Sequence, residues 1–349
     1  LTETKISVIF FALDQREKGD GVMIKVALVG AGFMGGMHSA CYQAVEGAEL
    51  AWVVDTDADR AAKLAGRHEA RPTVDLDEAL ADPAVSLVDV CLPTDQHPEN
   101  VIRACRAGKN VICEKPIALT LAEADRMIAA ARENRVRFMV AMVIRFWPAY
   151  QRLTEIYRSG ELGKLQALTL QRVSSLPTWT WKDWILDRKR SGGAVLDMHI
   201  HDTDFAYHLL GLPRQIESRL APTNHGFIYS VFSYPGTTVM IEGGWHEARS
   251  CPFFSAYEAV FEKGVVSYDT RLVPDFTIYR EDRKENPVLP SRKGGGDSGG
   301  NISDLGGYYN EIAYLIDCLE RGREPELASA QSARESLALL LQELEQAGL

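Results

Sequence analysis

Three things are scarce in this sequence of 349 residues. Cysteine occurs six times (Cys41, Cys91, Cys105, Cys113, Cys251, Cys318), never as a C-x-x-C pair and without regular spacing, so neither a disulfide framework nor a thiolate metal site is indicated. Several of these cysteines stand in apolar strand-like runs, where the residue behaves as a small hydrophobe, and the set reads as reduced thiols of a cytoplasmic protein. Positive charge is short as well: 38 lysines and arginines against 48 aspartates and glutamates leave a net charge of −10. Without a basic cluster the chain is not expected to bind nucleic acid, and the acidic balance favours a small-molecule partner. Long apolar runs are also missing. The most suggestive, ISVIFFAL, spans eight residues, too few for a bilayer, and is followed by DQREKGD rather than a small-residue cleavage site. Residues 1–22 therefore read as an N-terminal extension upstream of a start at Met23, and no membrane partner is expected.

What the chain does have is length for two domains and 46% apolar residues to fill both cores. From 23 to 145 apolar runs (IKVALVG, ELAWVVD, SLVDVCLP, KNVICEKP, RFMVAMV) alternate with helical patterns. Near-continuous apolar strands linked by helices are what a parallel sheet covered on both faces requires. After Trp147-Pro148 the pattern changes. FIYSVFSY and TTVMIEGGW flank Pro235-Gly236, and YEAVFE and VVSYDT flank Lys263-Gly264, both of which read as antiparallel hairpins. The expected fold class is α/β: a Rossmann-type domain over 23–145, then an α+β domain over 146–349 with a large, mainly antiparallel open sheet and closing helices at 305–321 and 329–346. Apolar residues occupy both alternating faces of FIYSVFSY, so the second face of that sheet is expected to be covered by another subunit, or else by further helices. Ser291 to Asn301, SRKGGGDSGGN, reads as a surface loop, either a lid or a plain connector.

Gly30-Ala-Gly32-Phe33-Met34-Gly35 follows the first strand directly and opens a helical stretch. In that context Gly30 makes the tight turn, Gly32 lets the backbone approach a pyrophosphate, and Gly35 allows close helix–strand packing. The helix N-terminus supplies free N–H groups to the phosphates. Asp55 ends the next strand, twenty residues after Gly35, placed to accept from the adenosine ribose hydroxyls. Its charge repels a 2′-phosphate, so NAD is preferred over NADP, with Arg60 close enough to soften the preference. The alternative is that Asp55 merely caps the next helix.

Two histidines and two aspartates share seven residues in LDMHIHD, Leu196 to Asp202. Gly192-Gly193 before it, Gly211 after it and the apolar spacing of Leu196, Ile200, Leu209 and Leu210 predict a helix. On a helix Asp197 and His201 share a face, whereas His199 and His201 point apart, so the H-x-H spacing fails as a metal site and no metal is expected. A carboxylate beside an imidazole remains, the arrangement that orients the ring and stabilises its protonated form.

Several stretches resemble the glucose–fructose oxidoreductase and inositol dehydrogenase (Gfo/Idh/MocA) family: CLPTDQHPENV, AGKNVICEKPIALT, RFWPAY, GGAVLDMHIHDTDF and YYNEIAYLIDCLERGREP. The likeness runs from Met23 to the C-terminus. It implies a Rossmann domain followed by a sheet domain, and it implies that Lys115 of the E-K-P motif contacts substrate and cofactor while Asp197 and His201 match the family's D-x-x-x-H. The catalytic set is then Lys115, Asp197 and His201, with Pro93, Thr94, His97 and Glu114 added to the cofactor contacts. Arg145 is a substrate candidate or an interdomain salt bridge. Trp181, in TWTWKDW (Trp179 to Trp184), is a substrate contact or packing. His199 departs from the family's usual small residue and is expected to alter substrate fit. Tyr309 and His246 are weaker pocket candidates from the second domain. The leading function is an NAD-dependent oxidoreductase for a polyol, inositol or sugar derivative; the alternatives are an NAD-dependent glycosidase using transient sugar oxidation and a non-catalytic nucleotide-binding regulator.

Overall fold

The computed structural model describes residues 23–178, 180–291 and 305–348. The N-terminal extension, Trp179 and all but the first residue of the glycine-rich stretch lie outside them. The described chain divides into two compact units, one of residues 23–146, 180–184 and 305–334, the other of 147–178, 185–290 and 335–348.

The first unit is built on a six-stranded sheet: β1 (Ile24–Val29), β2 (Ala48–Val54), β3 (Arg71–Thr73), β4 (Val85–Val90), β5 (Asn110–Glu114) and β6 (Phe138–Ala141). Its order is β3-β2-β1-β4-β5-β6 with every pair parallel. This is the doubly wound arrangement, and it reverses direction between β1 and β4, where ligands bind at the strands' carboxyl ends. Val26, Leu28, Leu87, Val88, Val111 and Ile112 are wholly buried, as two covered faces demand. The crossover helices include α1 (Phe33–Tyr42), α2 (Ala58–Ala65), α3 (Leu76–Ala81), α4 (His97–Arg106) and α5 (Leu121–Glu133), the last opened by a capping box between Thr120 and Glu123.

The first long stretch of the first unit ends at Phe146, and the two closing helices are divided between the units. The helix Gly306–Glu320 groups with the first unit and packs on α1, because its buried face carries Ile312, Leu315 and Ile316 into the Rossmann core. Tyr309, expected from the second domain, comes with it. In the final helix, Ala330–Gln346, the division falls between Arg334 and Glu335.

The second unit opens with α6 (Pro148–Ser159), ended by Gly160 in the left-handed region, and then forms an eight-stranded sheet: β7 (Leu165–Ser175), β8 (Gln215–Leu220), β9 (Phe227–Tyr234), β10 (Thr237–His246), β11 (Phe254–Phe261), β12 (Gly264–Asp269), β13 (Phe276–Tyr279) and β14 (Lys284–Glu285). The order is β14-β13-β12-β11-β7-β10-β9-β8, antiparallel except for the parallel pair β7 and β10. Both expected hairpins are present. The LDMHIHD segment forms a π-type turn, Val195–His199, running into α7 (Ile200–Leu210), which Gly211 ends.

A buried ion pair fixes α7 to the sheet. Arg172 of β7 bonds Asp202 from Nε at 2.9 Å and from Nη2 at 3.2 Å, and the same Nη2 donates to the Tyr150 hydroxyl at 3.0 Å. Asp202 is fully buried, so removing its carboxylate strands a guanidinium in the core. Asp202→Ala should cost about 3–5 kcal/mol, read as a lowered urea midpoint at an unchanged slope.

Candidate functional site

The turn from β1 into α1 is governed by contact with its own backbone. Gly30 has φ +102°, and a Cβ there would lie 2.4 Å from the Cys91 carbonyl oxygen; at Gly35 it would lie 1.8 Å from the Gly30 oxygen. Both positions therefore admit only glycine. Gly32 differs, since a Cβ there would meet nothing within 4 Å. It is exposed, it precedes α1 with no side-chain cap, and no acidic residue occupies the first turn. An open glycine in front of uncapped helix N–H groups is a cradle for the pyrophosphate of a dinucleotide, so the residues present fit NAD. Phe33 and Met34, both partly exposed, flank that cradle in the first turn.

At the end of β2, Asp55 is not a helix cap. Asp57 caps α2, taking the N–H groups of Asp59 and Arg60. The Asp55 carboxylate accepts from the Ala31 N–H inside the glycine turn (2.8 Å) and from the Asp57 N–H (2.8 Å), and pairs with Arg60 Nη2 (2.6 Å). It thus ties the glycine turn to the strand meant to hold the ribose. Arg60 in turn lies over the Trp181 ring, 4.9 Å from its centroid. Trp181, read as a substrate contact or as packing, thus lies with Arg60 beside the carboxylate expected to bind the adenosine ribose.

Lys115 follows β5 and is joined to Pro116 by a cis peptide. Its flanks are held from both sides. Upstream, its own N–H donates to Glu114 Oε2 at 3.0 Å. Downstream, the Pro116 carbonyl faces His97 Nδ1 at 3.0 Å, while His97 Nε2 faces the Leu92 carbonyl at 2.8 Å. His97 is wholly buried, and desolvation lowers its pKa below the ordinary imidazole value against the opposing pull of the two carbonyl contacts. His97 and Glu114, expected as cofactor contacts, are thus engaged with the main chain around Lys115. Thr94 is buried and Pro93 half-exposed just before α4.

Behind Glu114 stands a group of residues that the sequence reading passed over. His38 of α1 is fully buried, with Nδ1 2.9 Å from Asp89 Oδ2 and Nε2 3.1 Å from Glu114 Oε1 and 4.0 Å from Glu311 Oε1. The signal that could have found it is an ionisable side chain one turn before Cys41 and next to Met37, on the helix face that must pack inward. His38, Asp89 and Cys91 also cluster closely enough to be weighed as metal ligands. The Asp89–Nδ1 separation is that of a hydrogen bond, and the Tyr42 hydroxyl donates to the same Asp89 oxygen at 3.0 Å, so the cluster reads as a hydrogen-bonded network.

In the second unit the residues of LDMHIHD part by face. His199 is buried with Nε2 2.7 Å from Glu343, and Asp202 is buried against Arg172. Asp197 and His201 remain partly exposed, four residues apart across the π-type turn. Single π turns recur at functional sites. His199 is thus a core residue whose ring is taken up by Glu343. Arg145 is buried in the first unit, and its Nη1 donates to the Leu327 carbonyl and the Ser332 hydroxyl, each at 2.9 Å. All six cysteines are unpaired, and among the described residues no helix is long and apolar enough to cross a membrane.

Comparison with known proteins agrees with both sheets. Residues 24–142 match the family model described as the oxidoreductase family with NAD-binding Rossmann fold, and residues 150–267 match the GFO/IDH/MocA C-terminal domain. The inositol 2-dehydrogenase of Rhizobium meliloti (strain 1021) is 34% identical over 190 residues, 54% of this chain and 55% of that protein. The chain thus spans about half the length of the curated relatives it matches in this way. The human trans-1,2-dihydrobenzene-1,2-diol dehydrogenase is 25% identical over 333 residues, 93% of this chain and 96% of that one. Levoglucosan dehydrogenase, solved with NADH and levoglucosan, shares the fold at a TM-score of 0.79 and 21% identity, covering 93% of this chain and 97% of that one.

The free space at Gly32 gives a clean test of the cradle. Gly32→Ala should leave the melting temperature within about 2 °C of the parent, because nothing surrounds the new methyl, yet weaken NAD binding at least tenfold by calorimetry. Gly35→Ala, which drives a methyl into the Gly30 carbonyl, should lower both.

Proposed function

The chain belongs to the GFO/IDH/MocA oxidoreductase family, and from that premise we propose that it interconverts a carbinol and a carbonyl on a polyol, inositol or sugar derivative, with NAD as its partner cofactor. The observation that carries this reading is the cofactor unit itself: an open glycine cradle on one side of the switch point and, at the carboxyl end of β5, a lysine whose main chain is held from both flanks.

Bound NAD would supply the acceptor or donor for the carbinol hydrogen. The chain's own residues manage the proton and the charge. In oxidation the His201 imidazole takes the hydroxyl proton, and Asp197, one turn earlier, orients the ring and stabilises the imidazolium. The Lys115 ammonium stabilises negative charge growing on the same substrate oxygen. In reduction His201 returns the proton. Imidazole suits both directions, since its ordinary pKa of about 6.5 leaves either protonation state within reach near neutrality.

At the adenosine end, Asp55 accepts from the ribose hydroxyls and disfavours a 2′-phosphate, and the Arg60–Trp181 stack borders the same position. Six unpaired thiols fit a reducing, cytoplasmic setting. The outer face of the second sheet supports a homo-oligomer: Tyr229 and Met240 stay 48% and 54% exposed while Ile228, Phe232, Val239 and Ile241 on the same strands are buried, and Met240 pairs across from Val231.

Lys115→Met and His201→Asn should each lower kcat by at least a hundredfold with NAD affinity held within threefold, measured as NADH absorbance against a panel of inositols, aldoses and sugar acids. Full turnover in either variant removes the assignment. Tyr229→Glu combined with Met240→Glu should shift the molar mass measured by light scattering toward one chain; an unchanged mass, or a parent that is already monomeric, removes the sheet-face oligomer.

A further inference from the structure

Nothing in the proposed reaction uses His38 or Glu311, yet both are completely buried in the cofactor unit. Glu311 is the odder of the two. Neither of its carboxylate oxygens has a hydrogen-bond partner among the described residues, and His38 Nε2 lies 4.0 Å from Oε1. A buried carboxylate without donors is costly unless it carries a proton or faces a cation.

Three elements converge on the His38 ring. β4 brings Asp89 to Nδ1 (2.9 Å) and Cys91, whose Sγ is 3.4 Å from the same nitrogen; β5 brings Glu114 Oε1 to ion-pair distance of Nε2 (3.1 Å), without the alignment of a hydrogen bond; the helix Gly306–Glu320 brings Glu311, with the Tyr308 ring 6.3 Å from that of His38. On α1 itself Tyr42 donates to Asp89, and Cys41 lies close enough to feel the charge of His38. The other oxygen of Glu114 accepts the Lys115 N–H, so a single carboxylate links the imidazole to the main chain of the lysine.

We infer that His38 and Glu311 are positioning residues for Lys115: His38 pairs with Glu114 at 3.1 Å, Glu114 holds the Lys115 N–H, and Glu311, 4.0 Å from the same His38 nitrogen, is the competitor that must not displace Glu114. The inference rests on Lys115 being the lysine that serves the reaction. The charges are consistent with it. Burial alone would lower the pKa of His38, but Asp89 and Cys91 raise it well above the ordinary value. Burial likewise pushes the Glu114 carboxyl up, and contact with His38 and Lys115 brings it below the usual carboxylate range. Glu311 has no such compensation: burial raises it far above that range, and His38 offsets only part of the rise. The directions favour a charged His38–Glu114 pair and a protonated Glu311. As pH rises through the Glu311 pKa, a second carboxylate competes with Glu114 for Nε2, and the hold on Lys115 slackens.

Two isosteres divide the clamp. Asparagine at 38 places its amide near Nδ1 and keeps the Asp89 bond, whereas glutamine reaches toward Nε2 and keeps the Glu114 contact. With the best polyol or sugar from the substrate panel, His38→Asn should lower kcat ten- to hundredfold with KM for NAD within twofold, and His38→Gln should restore at least a third of the parent kcat. Equal losses in both, tracking their melting temperatures, would mean that the histidine only holds the fold. Glu311→Gln, uncharged at every pH, should keep kcat at pH 6.5 and move the alkaline limb of the kcat profile upward by at least half a pH unit; an unmoved limb overturns the part given to Glu311. Independently of turnover, the ring nitrogens of His38 in a ¹⁵N–¹H spectrum should show a doubly protonated imidazole at pH 8, and a neutral ring would end the inference. Lys115→Met separates the two readings: if it turns over normally, the proposed function fails; if it is inactive while His38→Asn is fully active, only the positioning role fails.

Discussion

The first unit is organised by an approach so close that it forbids a single carbon atom. At Gly35 a methyl would fall 1.8 Å from the Gly30 oxygen. Because it is absent, α1 starts directly against the turn that leaves β1, and two consequences follow from one helix placement. Its uncapped N-terminus opens toward solvent at Gly32, where a pyrophosphate fits. One turn further on, the same helix carries His38 between the carboxyl ends of β4 and β5, where Asp89 and Glu114 are waiting. The phosphate cradle and the charge behind Lys115 are thus two ends of the same rigid rod, and a disturbance at the glycines is expected to reach both.

The second unit obeys a different constraint, the satisfaction of buried charge. Its π-type turn and α7 carry an unusual density of polar side chains for a helix lying on a sheet. Each inward-facing one has found a partner: Asp202 with Arg172, His199 and Thr203 with Glu343, Asp204 with Ser336. What these pairings leave on the accessible side is Asp197 and His201. The polar run is therefore neither wholly functional nor wholly structural. Its buried members hold the helix, and Asp197 and His201 are its partly exposed members.

Those two constraints explain what was legible in the sequence. Glycine spacing, the acid at the end of β2 and the hairpin turns are local signals, and Gly30, Gly32, Gly35, Asp55 and both hairpins stand where the pattern put them. The i,i+4 relation of Asp197 and His201 was legible for the same reason, since it needs only the helix period. Partners far apart in sequence were not legible. Nothing near Arg145 says that it will donate to the Leu327 carbonyl, nothing near His199 points to Glu343, and nothing in TWTWKDW says that Trp181 will lie against Arg60. Charged residues destined for burial look like surface residues until the element that covers them is known. For His38 and Glu311 that element comes from opposite ends of the chain.

This last feature bears on how the molecule is made. The helix Gly306–Glu320 completes the cofactor unit, although nearly all of the sheet domain is encoded between it and β6. During synthesis the Rossmann strands emerge first and can pair early, but His38 must wait, with Asp89 and Glu114 exposed around it, until the ribosome has released residues beyond 311. The dinucleotide domain is the first to begin folding and among the last to finish, so a nascent chain stalled in the sheet domain would hold an open, hydrated gap where the native protein keeps a wholly buried acid.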